Sequence, residues 1–333
     1  MPASDTPLPH HPHAGQTAIT IGNFDGVHVG HQSIMRACRR AVGPGGAVIA
    51  FAFDPHPASI LSPERCPPRL STIDQRRRWL VAAGASDVRI LEPRLELLGL
   101  DPAAFVDQVL MPLSPALLLE GEDFHFGKGR KGNLQTLADL GRSRGFRVAC
   151  APGVQVALEN LHVVRASSST VRWLIGQGRV QDAAAILSRP YTVEATIVQG
   201  DQRGRTIGYP TANLSTTHML PADGVYAGVM TGPDGRVHMA AINVGNRPTF
   251  RGVERRIEVF ACTPGGTAAA LPMEYGWQTS LSFVHWIRED LRFAGVHELV
   301  SQIARDVARC AELMRGSTLA DPALNKAFFE HPG

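Results

Sequence analysis

The pattern of apolar runs changes once along this chain, and that change limits the folds open to it. From Ala18 to about Arg189, strand-like runs alternate with segments of helical spacing. The predicted strands are Ala18–Ile21, Ala47–Phe53, Asp87–Leu91, Ala116–Glu120 and Arg147–Ala151. The predicted helices are Gln32–Val42, Ile73–Ala83, Pro102–Leu110 and Leu134–Gly145, with a further one rising through Trp173. Such alternation predicts an α/β domain with a parallel sheet and helices on both faces. Around Leu187-Ser188-Arg189-Pro190-Tyr191 the alternation stops. Short strand-like runs follow at Tyr191–Val198, Gly224–Thr231, Val237–Val244, Arg256–Ala261 and Ser280–Trp286. Turn signals such as Gly232-Pro233-Asp234-Gly235 separate them, which predicts an antiparallel all-β barrel or sandwich. A closing helix, Val296–Met314, carries Leu299, Ile303, Val307 and Cys310 on one stripe. The expected division is a tail at 1–16, domains at 17–187 and 188–315, and a second tail at 316–333.

Composition fits this division. A chain of 333 residues with 44% hydrophobic content has enough apolar residues for two cores. The formal net charge of +3 is too small to argue for a nucleic-acid partner. No apolar run approaches the ~20 residues of a membrane span. The stretch Met1–Gln16 is rich in Pro and His and reads as a solvated tail, with His10, His11 and His13 at most a loose metal site. The five cysteines are scattered with no CxxC, which argues against zinc or a disulfide framework and fits the cytoplasm. A homo-oligomer is compatible with all of this.

Ligands of parallel sheets sit beyond the carboxyl ends of the strands. After the first strand stands Gly22-Asn23-Phe24-Asp25-Gly26-Val27-His28-Val29-Gly30-His31. Strand, glycine-rich turn and helix together present backbone N–H groups and a positive dipole end to a phosphate. Residues three apart in a first helical turn share a face, so His28 and His31 point into the same site. Gly30 is small enough for a nucleotide to approach the backbone. After the second strand, two prolines stiffen the loop that carries His56. The loop Gly121–Gly132 mixes aromatics and glycines with Lys128, Arg130 and Lys131, a composition suited to a pyrophosphate. Ser167, Ser168 and Ser169 precede a helix with Arg172 in its first turns, where hydroxyls and a cation can meet an anion.

In the second half, Gly200–Leu214 joins a glycine-rich flap, with Arg203, Gly204, Arg205 and Gly208, to Pro210-Thr211-Ala212-Asn213. In an extended chain Thr211 and Asn213 face the same way and offer hard oxygens of the type Mg²⁺ accepts. In Arg256-Ile257-Glu258-Val259-Phe260, Ile257 and Val259 share one strand face and Glu258 takes the other.

These segments resemble, in order, the motifs of bacterial bifunctional riboflavin kinase/FAD synthetases, from about Ala18 to Arg309. The resemblance implies a nucleotidyltransferase domain with a Rossmann-like sheet, followed by a riboflavin-kinase barrel with a C-terminal helix. It implies ATP as co-substrate, Mg²⁺, riboflavin as first substrate, and FMN and FAD as products. It places Gly22, Phe24, Gly30, His28, His31, His56, Ser168 and Arg172 about the ATP phosphates of the adenylylation site, with Asn23 and Asp123 near FMN. In the kinase it implies Gly204, Arg205, Gly208, Thr211 and Asn213 at ATP, Thr211 and Asn213 at Mg²⁺, Arg288 beside the flavin, and Glu258 as catalytic base. The chain departs from the family at His125, where Arg is usual, and at Phe260, where His is usual. Its loop 260–277 keeps only Tyr275-Gly276 of the family pattern. An FMN adenylyltransferase with an impaired kinase is therefore the first rival, which the intact Pro-Thr-Ala-Asn and Glu258 oppose. A flavin-binding regulator is the second, and it would have no use for two phosphate sites.

Overall fold

The computed structural model describes residues 16–200, 203–249, 252–263, 265–269 and 274–316, with backbone alone at 203, 205, 247–249, 252–254 and 316. The tails expected at 1–16 and 316–333, their histidines included, otherwise lie outside the described residues. So do Asp201 and Gln202 of the flap and part of the divergent loop. Among the described residues no helix is long and apolar enough to cross a membrane. The chain divides into two compact units. One holds the described residues of Met1–Pro67, with Ile73–Gln155 and Arg165–Ser168; the other holds Pro68–Thr72, Val156–Val164 and the described residues of Ser169–Gly333.

The first unit is a five-stranded parallel sheet: β1 (Thr17–Gly22), β2 (Ala47–Phe53), β3 (Asp87–Leu91), β4 (Leu117–Gly121) and β5 (Arg147–Ala151). Their spatial order is β3-β2-β1-β4-β5. The α/β expectation holds strand for strand. Strands covered on both faces read as unbroken apolar runs, and β2 is such a run. Its Val48, Ala50 and Ala52 pack with Met35 and Cys38 of helix α1 (Val29–Val42) and Leu80 of helix α2 (Ile73–Ala82). Its Ile49 and Phe51 turn to the other face, where Leu137 of helix α3 (Leu134–Arg144) and Phe146 wait. Helix α1 starts three residues before the predicted Gln32, because His28 caps it.

Chain order reverses at β1, so the crevice of this sheet opens between β1 and β4. The pairing pattern shows how. β1 matches β2 from Thr17↔Ala47 through Gly22↔Ala52. It matches β4 only at Ala18↔Leu117 and Ile19↔Leu118. Beyond that point the buried Glu120 side chain takes over: its carboxyl accepts from Ile21 N–H at 2.7 Å and from the Thr20 hydroxyl at 3.3 Å. Burial pushes this carboxyl well above the ordinary range. A group whose folded pKa is raised binds a proton that the unfolded chain releases, so stability falls as pH rises through that window. Glu120→Gln is expected to raise the thermal midpoint by several degrees at about pH 8 and to change it little at about pH 4. Thermal unfolding at the two pH values checks this; equal midpoints would show that burying the carboxyl costs nothing.

The second unit takes up helix α4 (Ser168–Gly176) beyond Ser168 and helix α5 (Val180–Leu187). It then forms a closed six-stranded barrel. Its strands are β6 (Tyr191–Val198), β7 (Ala212–Ser215), β8 (Gly224–Thr231), β9 (Val237–Thr249), β10 (Gly252–Cys262) and β11 (Gln278–Arg288). The order around the barrel is β6-β7-β10-β9-β8-β11, all neighbours antiparallel. Closure removes every edge. Inside, Phe283 meets Tyr226 edge-on at 5.3 Å and Tyr191 at 6.3 Å. Each hydroxyl leaves this apolar cluster satisfied, Tyr191 on Met219 O and Tyr226 on Ala222 O. Alternate residues of β8, β9 and β10 face outward, and there the last helix, α6 (Val296–Gly316), covers the wall. Val307, Cys310, Ala311 and Met314 of α6 pack on Ala227, Met239, Ala241, Phe260 and Cys262.

Candidate active sites

In the first unit the polar residues gather at the carboxyl ends of β1 and β2. The turn after β1 is tight enough to hold two non-glycine residues at positive φ, Phe24 at 49° and Val27 at 39°. For a β-branched residue this conformation is costly, and such outliers concentrate where backbone position matters. Several contacts brace the turn: Val27 N–H donates to Phe24 O at 3.1 Å, and the Gln32 amide donates to Val27 O at 3.0 Å. The Ser168 hydroxyl donates to Asp25 O at 2.7 Å. Ser168, expected at phosphate, thus bonds the backbone of the loop that follows β1.

His28 sits at the N-cap of α1, and its Nδ1 accepts from Gly30 N–H at 3.2 Å. That bond fixes the tautomer: with Nδ1 accepting, the ring proton is on Nε2. The His31 ring stacks on the His28 ring with centroids 3.7 Å apart and an interplanar angle of 25°. Phe24 meets the His31 ring edge-on at 5.1 Å. Two glycines make this packing possible. A Cβ on Gly30 would stand 3.0 Å from the His28 ring, and one on Gly22 would stand 3.3 Å from the Phe24 ring. Helix α1 has no acidic residue in its own first turn to oppose the positive end of its dipole.

From β2, His56 reaches the Asn23 carboxamide at 3.1 Å through Nε2. Its Nδ1 accepts from Ala58 N–H at 3.0 Å, which puts the ring proton on Nε2 and favours Asn23 turning its oxygen toward the ring. The exposed Asp123 pairs with Arg165 at 2.7 Å, and the exposed His125 ring sits 2.9 Å from Asp123 O. Arg172 belongs to the second unit, where its Nε donates to Pro68 O at 2.7 Å. Arg76, which sequence patterning did not single out, is buried on α2 and bonded to Asn23 O and Phe53 O.

In the second unit one cavity, of about 360 Å³, lies on the barrel wall beneath α6. Gly204, Thr211, Asn213, Glu258 and Arg288 of the expected residues line it, together with Phe260. Register explains the grouping. Glu258 on β10 is paired with Asn213 on β7 to one side and with Asn243 on β9 to the other. The three polar side chains therefore stand in a row on the outward face, while Ile257 and Val259 go inward, as their alternation predicts. Gly204 is held close to the following segment: a Cβ there would stand 2.2 Å from Tyr209 O and 3.2 Å from the Thr211 hydroxyl. Gly208 takes φ +88° in the turn between them. The Arg205 side chain lies outside the described residues.

Arg288 makes a two-pronged bond to Asp306 of α6, Nε to Oδ1 at 2.9 Å and Nη2 to Oδ2 at 2.6 Å. Gln302 donates to the same carboxylate at 2.9 Å. This pair fastens α6 over the cavity. Asn243, Asp290 and Asp306 all line the cavity, and sequence reasoning missed them. Phe260, where the resemblance implies His, meets Tyr209 edge-on at 5.3 Å and makes this part of the wall apolar. Among the described residues, no group of three or more His, Cys, Asp or Glu side chains is placed to hold a metal ion.

A parallel-sheet unit with a histidine-capped helix is joined to a closed barrel with a carboxylate between two carboxamides, and the family matches of both units mark the chain as a transferase. A family model described as FAD synthetase matches residues 10–165, and one described as riboflavin kinase matches residues 187–314. The Escherichia coli (strain K12) bifunctional riboflavin kinase/FMN adenylyltransferase is 31% identical over 86% of this chain and 90% of its own length. The Pseudomonas fluorescens protein of the same description is 34% identical over 90% and 94%. The chain belongs to the bifunctional riboflavin kinase/FMN adenylyltransferase family. A crystal structure described as a macrolide-efflux protein from Streptococcus pneumoniae is 27% identical, with a TM-score of 0.76 over 88% of this chain and 92% of that one.

Proposed function

We propose that the barrel unit phosphorylates riboflavin and that the sheet unit then adenylylates the FMN so made. The functional boundaries that go with this are 17–187 and 188–315; the riboflavin kinase match over 187–314 supports the second, while the FAD synthetase match ends at 165 and residues 169–187 pack with the second compact unit. The observation that carries the reading is that each unit gathers its own polar constellation: His28 and His31 in one, Asn213, Glu258 and Asn243 in the other.

In the first step Glu258 accepts the proton of the riboflavin 5′-hydroxyl, whose oxygen attacks the γ-phosphorus of ATP as ADP departs. The cavity wall holds the reactants in line; little else is asked of the protein in phosphoryl transfer. Thr211 and Asn213 would hold Mg²⁺. Their hydroxyl and carboxamide oxygens fit a hard cation that keeps waters and nucleotide phosphates as its other ligands. When bound, it neutralises charge on the phosphates. Arg288, anchored by Asp306, turns toward the flavin side, and Phe260 with Tyr209 offers an apolar surface for the flavin ring.

In the second step an FMN phosphate oxygen attacks the α-phosphorus of ATP, and pyrophosphate leaves. The nucleophile is already an anion near neutral pH, so no strong base is required. Stabilisation of charge on the transferred and leaving phosphates is required, and the Nε2 donor of His28, His31 and the α1 N–H groups supply it. Asn23 and Asp123 stand at the FMN end of this site, and His56, in contact with Asn23, stands on the ATP side.

The test is direct. Purified protein is given riboflavin, ATP and Mg²⁺, and the flavins are separated by chromatography. FMN should rise first and FAD follow. FAD from added FMN with no FMN from riboflavin would mean that the barrel has lost its activity. Tight flavin binding without turnover would overturn the enzymatic reading.

A further inference from the structure

Arg76, Arg77 and Arg78 are consecutive on α2, and only Arg76 is buried, at 4% exposure. A buried guanidinium is tolerated where its charge and donors are met. Here Nη1 and Nη2 are bonded, and Nε is buried without a partner among the described residues. Nη1 donates to Asn23 O at 2.9 Å and to Phe53 O at 2.7 Å, and Nη2 bonds the Asp54 carboxylate. Asn23 follows β1, and Phe53 and Asp54 close β2. One side chain thus ties together the two loops that end adjacent strands. Those loops carry Asn23 and His56, whose side chains meet at 3.1 Å. Asp54 N–H in turn bonds Leu91 O at the end of β3, so the tie reaches three strand ends.

We propose that Arg76 is a positioning residue for adenylyl transfer: it sets the Asn23 and His56 loops at the spacing that aligns the FMN phosphate with ATP. This rests on the reading of the sheet unit as the FMN adenylyltransferase. Arg76 does not itself touch the reactants. It acts through two backbone carbonyls, and its charge is balanced by Asp54. A lysine offers a single point of donation where the guanidinium offers a fork, so it restores part of the tie.

The bifunctional chain supplies its own control. Arg76→Ala is expected to lower kcat for FMN adenylylation tenfold or more, with KM for FMN and ATP changed less than threefold and riboflavin phosphorylation within twofold. Arg76→Lys should recover part of kcat, and added methylguanidinium should partly rescue the alanine variant. Adenylylation by Arg76→Ala within twofold of wild type overturns the proposal. So does a loss of adenylylation that neither lysine nor methylguanidinium relieves, which marks a purely structural role. Should the alanine variant fail to fold, Arg76→Lys decides: reduced kcat at unchanged KM supports the proposal, and wild-type kcat overturns it. Wild-type protein that converts no FMN to FAD overturns the underlying reading and this proposal with it. Wild-type conversion with unaffected Arg76 variants overturns this proposal alone.

Discussion

Replacing Glu258 by alanine should lower riboflavin phosphorylation by about 10²–10⁴-fold, the usual worth of a positioned general base. The same variant should turn FMN into FAD at close to the wild-type rate. The size of the first effect follows from where the carboxylate stands. It lines the cavity between Asn213 and Asn243, in register with both, on the face that α6 covers. The neighbouring Ile257 and Val259 are fully buried and carry the barrel core, so removing the outward side chain leaves the packing intact. Lost activity in a folded variant therefore reports chemistry. Separate assays with riboflavin and with FMN, beside a thermal scan, check the outcome. Phosphorylation within a few-fold of wild type would remove Glu258 from the base role.

His31→Ala is the mirror experiment. FMN adenylylation should fall by about 10²–10³-fold, as when one preorganised donor to a developing oxyanion is removed. Riboflavin phosphorylation should hold. His31 is a better choice than His28 because the two rings do different things. His28 caps α1 through Nδ1, so its loss would also cost about 0.5–2 kcal/mol of helix stability. His31 sits one turn inside the helix, stacked on His28 and edge-on to Phe24. An equal fall of both activities in His31→Ala would contradict separate sites for the two steps.

How much of this the sequence discloses depends on how local the signal is. β2, β3, β5, β6 and β8 have the limits their apolar runs predict, because the pattern of burial is written in consecutive residues. β7, the short Ala212–Ser215, escapes notice since four residues carry little periodicity, and it is a strand because β6 and β10 pair with it. Helix α1 begins early for a chemical reason, the His28 cap. The same division applies to the sites. His28, His31, Thr211, Asn213 and Glu258 are legible because each lies in a compact motif. Asn243, Asp290 and Asp306 are single polar residues in ordinary strand, loop and helix contexts, and only the β9–β10 register and the packing of α6 bring them to the cavity. Arg76 is hidden differently. In a row of three arginines on a helix it reads as part of a solvated face, and its burial depends on carbonyls some 23 and 53 positions away.

The closure of the barrel sets a schedule for synthesis. β6 is among its first strands to leave the ribosome, yet it finds a partner on one side only when β11, Gln278–Arg288, has been made. The parallel sheet has all five strands by Ala151, and its compact unit ends at Ser168. Domains fold as units as the nascent chain lengthens, at about 5–20 residues per second. The growing chain therefore assembles the machinery for consuming FMN several seconds before the machinery for producing it. A chain cut short between these points would carry all five strands of the sheet without a closed barrel.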